Sequence, residues 1–164
     1  MHEKLATVYR THRRELYVCA LSVTGCPQQA EDAIHDAFVR LFKVARPPRR
    51  LKAYVFRSVR NAAIDIKRGV ERQGSAMDSI GAIYGVNHQP QPIGVDAAEQ
   101  TDSLDRLTRA LATLDQPQRD VIILHCSADL KFREIATILN RPMGTVTARY
   151  RRGLEQLRER LKES

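Results

Sequence analysis

The sequence predicts an all-α protein of two small helical domains joined by a flexible linker. Apolar residues recur at helical spacing through residues 3–69 and again from residue 101, and no part of the 164-residue chain shows the alternation of a β-strand. Residues 70–100 collect glycine and proline, with little charge and weak periodicity. Such a long segment is unusual inside a compact domain and natural between two small ones. We therefore expect domains at 1–69 and 101–164.

The first predicted domain contains three helices. Gly25-Cys26-Pro27 separates the first from the second, because glycine ends helices readily and proline fits the first turn of a new one. Arg46-Pro47-Pro48 separates the second from the third. The second helix has the most regular apolar stripe, and its other face begins acidic and ends basic, which complements the helix dipole. The third carries a first basic surface, formed by Lys52, Arg57, Arg60, Lys67 and Arg68.

The second predicted domain begins with two helices and continues into a helix-turn-helix pattern. Leucines at helical spacing run from Leu104 to Leu114, and another apolar run follows Asp115-Gln116-Pro117. Phe132–Leu139 then has the pattern of an amphipathic helix. Asn140-Arg141-Pro142 stops it, because asparagine tolerates left-handed backbone and proline disfavours helical geometry at the residue before it.

The last helix restarts near Met143 and divides into an apolar face and a polar, cationic one. The apolar face is predicted to contain Val146, Tyr150, Leu154, Leu157 and Leu161. A DNA major groove admits one α-helix whose N-terminal residues reach base edges while nearby arginine and threonine side chains bind phosphates. The pattern therefore predicts a DNA-recognition helix. A solvated amphipathic helix with incidental arginines is the alternative.

Composition limits the classes of function. The chain has 27 lysine and arginine residues against 19 aspartate and glutamate residues, a net charge of +8. This charge implies a polyanionic partner, more often nucleic acid than an anionic membrane. The chain lacks both a long apolar run and the pattern of a signal peptide, so we expect a cytoplasmic protein.

The cysteines and histidines do not form a recognisable catalytic or metal-binding pattern. Cys19, Cys26 and Cys126 lack C-x-x-C spacing, so we expect reduced, small apolar residues, with no metal and no other cofactor. A redox switch, or a metal site made from the first two cysteines and His35, is the alternative. His125 adjoins Cys126, but sequence neighbours on a helix point in different directions, so core packing is favoured over a catalytic dyad. The sequence has neither an acid–base cluster nor a glycine-rich phosphate loop, so we expect that the protein is not an enzyme.

Both domains resemble one protein family. Gln29–Phe42 and Ala53–Asp65 resemble region two of the extracytoplasmic-function sigma factors of bacterial RNA polymerase. Leu114–Val121, the helix-turn-helix and Gly144-Thr145-Val146 are similar to region four of the same family. The resemblance covers nearly all of the chain except the linker. It implies a transcription initiation factor that binds core polymerase, recognises promoters and aids strand opening, while the polymerase performs the nucleotide chemistry.

The resemblance also implies three contact surfaces. The second helix would dock on the β′ clamp helices of the polymerase through Glu31, Asp32, His35, Asp36, Phe38, Arg40 and Leu41. The third helix would hold the melted minus-ten element through Tyr54, Arg57, Arg60, Asn61, Lys67 and Arg68, since single strands need planar surfaces for bases and cations for phosphates. The helix-turn-helix would read the minus-thirty-five element through Arg133, Thr145, Thr147, Ala148, Arg149, Arg151 and Arg152. Core packing is an equal alternative for Tyr54 and the favoured one for Phe56, and an ion pair is the alternative role for Asp65.

The chain departs from the family pattern at several positions. Thr147 replaces a common cation, Lys131 replaces a small helix-capping hydroxyl residue, Tyr54 replaces the usual tryptophan, and His35 stands where glutamine is frequent. The first three changes bear on the promoter sequence more than on the function, whereas His35 lies on the expected polymerase-binding surface.

The implied partners are core polymerase, including its β flap, promoter DNA and an anti-sigma factor. The chain would act as a monomer and associate with the nucleoid when active, and a membrane-anchored anti-sigma factor would hold it at the inner membrane. The alternative is a helix-turn-helix regulator that binds duplex DNA as a homodimer without polymerase.

Overall fold

The structure is a computed structural model that describes residues 1–46, 48–77, 106 and 109–162, with the backbone alone at 75–77. Every element in these ranges is helical, which confirms the all-α prediction. We call residues 1–77 the first half and the described residues from 106 to 162 the second half. No helix in the described ranges is long and apolar enough to cross a membrane.

The first half consists of three helices: α1 (His2–Thr24), α2 (Pro27–Phe42) and α3 (Leu51–Met77). Gly25 ends α1 in the left-handed conformation (φ 68°), with its N–H donating to the Leu21 carbonyl at 2.8 Å. Pro27 then opens α2 as the sequence predicts. Glycine suits the exit because left-handed backbone has no Cβ penalty there.

Helix α3 extends into the segment predicted as the beginning of the linker. It runs to Met77, eight residues beyond the predicted boundary at 69. Residues 71–73, Glu-Arg-Gln, are good helix formers, so the preceding helix propagates through them although glycine and proline dominate the segment as a whole. The rest of the predicted linker lies outside the described residues.

The second half begins with a short helical stretch at 109–112 and α4 (Gln116–Ile122). Asp115 caps α4 by accepting a hydrogen bond from the Gln118 N–H at 2.8 Å. Helix α4 passes directly into a π-helical turn (Ile123–Ser127), which the sequence did not predict. Helices α5 (Phe132–Leu139) and α6 (Met143–Lys162) complete the half. The predicted leucines 104 and 107 lie outside the described residues.

The two halves pack against each other. Helices α1 and α3 contact α4, the π-helical turn and α5, and the buried apolar residues of both halves form one continuous cluster. Phe56 and Leu16 are fully buried in the first half, as are Leu124 and Ile135 in the second. The first half therefore supplies part of the surface on which the helix-turn-helix rests.

Candidate polymerase and nucleic-acid interfaces

Helix α2 presents its charged residues to solvent. Glu31, Asp32, His35 and Asp36 are all exposed. Arg40 is also exposed and lies 3.9 Å from Asp65 of α3, a surface ion pair of the kind that stabilises a protein little. The acidic-to-basic face predicted from the sequence is therefore available to a partner.

Two apolar residues assigned to this surface lie beneath it. Phe38 is 9% exposed and Leu41 is 2% exposed, so both belong to the core of the first half. The exposed apolar residues of α2 are instead Val39 and Phe42, at 40% and 44%. The Phe42 ring lies 5.1 Å from the His2 ring and 6.5 Å from Phe38. Val39 and Phe42 stand three residues apart beside the apolar stripe that faces the core. The sequence signal for an exposed apolar patch was therefore an apolar stripe on α2 that is wider than the core can cover.

Helix α3 holds a basic surface of which one arginine is already paired. Arg57, Asn61, Lys67 and Arg68 are exposed. Arg60 is half-buried and donates from Nη2 at 2.7 Å and from Nε at 3.2 Å to Oδ2 of Asp120 in α4. The Arg60 guanidinium is therefore already paired with a carboxylate of the second half.

The aromatic residues of α3 divide between surface and core. Tyr54 is half-buried and packs against the core. Phe56 is fully buried, and the His12 ring of α1 lies 6.1 Å from it. Core packing, the favoured alternative for Phe56, is confirmed.

His12 lies where α1, α3 and the second half meet. The helical geometry of α1 is interrupted at this residue (φ −119°, ψ 20°). Burial lowers the pKa of His12, and the nearby Lys52 lowers it further, while Glu15 and Asp129 act in the opposite direction. Asp129 belongs to the second half and has left-handed backbone (φ 51°). The surroundings of His12 therefore favour its neutral form over its charged form.

The helix-turn-helix has the predicted turn. Asn140 adopts left-handed backbone (φ 50°, ψ 52°), and the Arg141 N–H donates to the Ala136 carbonyl at 3.0 Å. At the start of α5 the Lys131 N–H donates to the Glu134 carboxylate at 2.9 Å. Glutamate thus supplies the cap that the Lys131 side chain, which has no acceptor, cannot provide.

Helix α6 packs closely on α4 through a glycine. Val146 and Gly153 are its buried residues, and a Cβ at Gly153 would lie 2.6 Å from Cδ1 of Ile122. Real Cβ atoms essentially never approach so closely, so any larger residue at Gly153 would force the buried Ile122 side chain to move. The prediction that Leu161 belongs to the buried face was wrong: it is 67% exposed, because α6 extends beyond the elements on which it packs.

The predicted DNA-contacting residues of the helix-turn-helix are accessible. Arg133, Arg151 and Arg152 are exposed, whereas the other four are half-buried: Thr145, Thr147, Ala148 and Arg149. From helical geometry, Ala148, Arg151 and Arg152 lie on the side of α6 away from Val146. This arrangement gives α6 a cationic outer face and an apolar inner one.

An aromatic cluster of three rings holds α6 against the rest of the second half. The His125 ring stacks on Phe132 at 4.2 Å, and Tyr150 meets these two rings edge-on at 4.9 and 5.2 Å. Nδ1 of His125 lies 2.9 Å from the Leu130 carbonyl oxygen. His125 therefore packs as expected and does not form a dyad with Cys126, whose Sγ lies 3.8 Å from the Tyr150 hydroxyl.

The three cysteines are free and differ in exposure. Cys19 is buried, Cys26 is half-buried and Cys126 is exposed. Burial raises the pKa of Cys19 to about 12, and the Asp120 carboxylate adds to the shift. Within the described ranges, no three histidine, cysteine, aspartate or glutamate side chains come together as a metal-binding group.

Comparison with known proteins identifies both halves. Residues 8–73 match the family "Sigma-70 region 2" and residues 104–157 match "Sigma-70, region 4". The ECF RNA polymerase sigma factor SigL of Mycobacterium tuberculosis is 32% identical over 97% of this chain and 89% of its own length. SigE of Mycolicibacterium smegmatis, another ECF sigma factor, is 27% identical over 93% of this chain, which spans only 59% of SigE.

A solved structure is similar to nearly the whole chain. The sigma factor RpoE of Bartonella quintana, in its co-crystal structure with the anti-sigma factor NepR, matches with a TM-score of 0.73 and 25% identity. The match covers 98% of this chain and 96% of that one. Both region matches, in this order, and the relative SigL lead to one conclusion: the chain belongs to the extracytoplasmic-function (ECF) family of RNA polymerase sigma factors.

Proposed function

We propose that this sigma factor binds bacterial core RNA polymerase and directs it to promoters, without being an enzyme itself. The observation that carries the proposal is that the chain presents two basic helices, α3 and α6, in halves that match regions two and four. A single chain that must hold one melted and one duplex promoter element needs two such surfaces. Because its partner is the polymerase, its place of action is the cytoplasm, at the nucleoid.

The exposed face of α2 is the proposed polymerase-binding surface. Its acidic residues and Arg40 give it a mixed charge that suits the proposed contact with the β′ clamp helices, and the region-four half would contact the β flap. Phe38 and Leu41 would act from the core by holding this face in place, while the exposed Val39 and Phe42 add apolar area to it. Charged residues around an apolar centre are the usual composition of a specific protein interface.

The outer face of α6 is the proposed reader of the minus-thirty-five duplex. Arg151 and Arg152 are exposed and positioned for phosphates, and the threonines and Ala148 are short enough to let the helix approach base edges. On α3, Arg57, Asn61, Lys67 and Arg68 would track the melted minus-ten strand while Tyr54 offers a ring for stacking.

An anti-sigma factor is the proposed regulator. The similar RpoE was crystallised with an anti-sigma factor, NepR. This supports an inhibitor of the same kind for the present chain, one that covers polymerase-binding or DNA-binding faces. A membrane-anchored inhibitor would hold the chain at the inner membrane until its release.

Binding to core polymerase tests the α2 surface. We expect Asp36→Lys to weaken association with purified core at least tenfold, because it reverses a charge on the proposed contact face. Glu155→Lys, the same charge change at an exposed residue of α6, is the matched control and should bind as the unaltered chain does. Equal affinity of both variants would refute the α2 assignment.

Binding to duplex DNA tests α6. We expect Arg152→Gln to reduce the salt dependence of binding to a promoter duplex by about one unit of slope, since one phosphate contact is lost. Arg158→Gln, six residues further along α6 and also exposed, is the control. Unaltered slopes in both variants would refute the α6 assignment, whereas a reduced slope for Arg152→Gln in a stable homodimer that does not bind core polymerase would favour the simple regulator.

A further inference from the structure

The contact between the two halves contains a buried ion pair. Asp120 of α4 is 5% exposed, and among the described residues it is the one buried charged side chain. Its Oδ2 accepts two hydrogen bonds from Arg60 of α3, at 2.7 and 3.2 Å, and its Oδ1 accepts one from Gln116 at 2.7 Å. Arg60 lies sixty residues earlier in the chain, so the pair joins the halves directly.

The pair depends on both halves being together. A carboxylate taken out of water is strongly disfavoured unless a cation and hydrogen-bond donors surround it. Gln116 supplies one donor from within the second half, but the neutralising charge comes from the first half alone. If the halves separate, water solvates both Asp120 and Arg60. In the open arrangement, each charged side chain is therefore stable without the other.

Two further polar contacts join the halves. Arg50, just before α3, lies 3.7 Å from Glu134 of α5. Nη1 of Arg119 in α4 donates to the carbonyl of Ser22 in α1 at 2.9 Å. Arg50 and Arg60 of the first half thus each face a carboxylate of the second half, which is the charge complementarity expected of an interface that forms specifically, and Arg119 adds a hydrogen bond in the opposite direction.

The contact between the halves covers part of the proposed minus-ten surface and leaves the other two proposed surfaces exposed. Arg60 belongs to the proposed minus-ten surface and is half-buried by the second half, whereas the charged residues of α2 and the outer arginines of α6 stay exposed. A phosphate contacting Arg60 would have to displace the Asp120 carboxylate.

We propose that the second half holds the free chain in a closed, autoinhibited arrangement in which Asp120 occupies Arg60 in place of a DNA phosphate. The Arg60–Asp120 pair is the latch of this arrangement. Opening frees the minus-ten surface, whereas polymerase docking through α2 does not require it. The inference rests on the proposed role of α3 in binding single-stranded DNA.

Three single substitutions separate closure from DNA contact. Asp120→Asn breaks the ion pair and leaves Arg60 intact, Arg60→Gln breaks the pair from the other half and removes the cation, and Arg57→Gln removes an exposed cation from the same helix without touching the pair. Small-angle X-ray scattering of each free chain measures closure through the radius of gyration. Fluorescence anisotropy with a labelled single-stranded promoter oligonucleotide measures DNA binding, and circular dichroism checks that each variant keeps its helical content.

The latch predicts a distinct result for each variant. Asp120→Asn should enlarge the radius of gyration and tighten oligonucleotide binding by about threefold or more, because a larger fraction of the chain is competent to bind. Arg60→Gln should enlarge the radius without tightening binding. Arg57→Gln should weaken binding without enlarging the radius.

Two results would overturn the proposal. If Asp120→Asn and Arg60→Gln both scatter like the unaltered chain, the pair is not a latch. If Asp120→Asn opens the chain but leaves oligonucleotide affinity unchanged, the pair does not mask a DNA contact. Failure of the proposed function looks different: no form of the chain would bind the oligonucleotide, while the scattering would still show whether the pair closes the chain.

Discussion

Arg119 organises the start of the second half, and its replacement by lysine should destabilise the protein strongly. Its guanidinium donates to three main-chain carbonyls in different segments: Leu111 at 2.9 Å, Leu114 at 2.8 Å and Ser22 at 2.9 Å. It also donates to the side chain of Gln116 at 3.2 Å. These bonds tie the turn before α4 to α4 itself and to the end of α1.

The size of the effect follows from the geometry of the two side chains. A lysine ammonium is a single point of donation and can replace at most one of three carbonyl contacts that a planar guanidinium reaches from separate nitrogens. Two hydrogen bonds from a charged donor are then lost. At about 1.5 kcal/mol each, the low end of the range because the groups are only partly buried, the loss is about 3 kcal/mol. This is a large share of a typical unfolding free energy of about 5–15 kcal/mol.

Urea denaturation followed by circular dichroism measures this loss. We expect Arg119→Lys to lower the unfolding free energy by about 3 kcal/mol and the melting temperature by about 6–12 °C. Arg133→Lys, at an exposed position of α5, is the matched control and should change the free energy by less than about 0.5 kcal/mol. A loss below about 1 kcal/mol for Arg119→Lys would refute the reasoning that these bonds organise the second half.

Three further predictions concern packing, pH and thiol chemistry. Gly153→Val should destabilise the protein by about 1–3 kcal/mol in urea denaturation, because the added carbon atoms collide with Ile122; an unchanged midpoint would contradict the close approach of α6 to α4. Because the folded-state pKa of His12 lies below its ordinary value of 6.5, the unfolded chain takes up the proton first. Stability should therefore be full above pH 6.5 and fall as the pH drops below it, and His12→Gln should reduce this fall; equal pH dependence in the variant would argue against the assignment. Cys126 should react with a thiol reagent in the native protein, whereas Cys19, buried and with its pKa raised to about 12, should react only on unfolding; equal rates would contradict its burial.

Local sequence signals predicted the helices well. Gly25 and Pro27 marked the passage from α1 to α2, and Asn140 marked the turn of the helix-turn-helix, because each residue has a backbone preference that acts within one or two positions. Helical periodicity placed Phe132, Ile135, Ala136 and Leu139 on the inner face of α5; Ile135 is buried and the other three pack partly buried against the core, but the buried Ile138 was missed. The end of α3 at Met77 was missed, because good helix formers at the edge of a glycine-rich segment carry no stop signal.

Contacts between distant residues were not predictable in the same way. Asp120 stands between a cap and an apolar run, where an acidic residue is ordinarily exposed, and only the arrival of Arg60 from the other half allows its burial. The exposure of apolar residues such as Val39 and Phe42 is harder still to predict. The sequence shows that a residue is apolar, but it does not show whether other residues cover it.

Transcription by purified bacterial core polymerase, with and without this chain, tests the central claim most directly. Run-off reactions on pooled genomic DNA, followed by sequencing of the transcript starts, would identify every start that depends on the chain. We predict such starts, sharing two upstream sequence elements at the spacing of a promoter. If the chain adds no starts and does not comigrate with core polymerase, it does not act as a sigma factor.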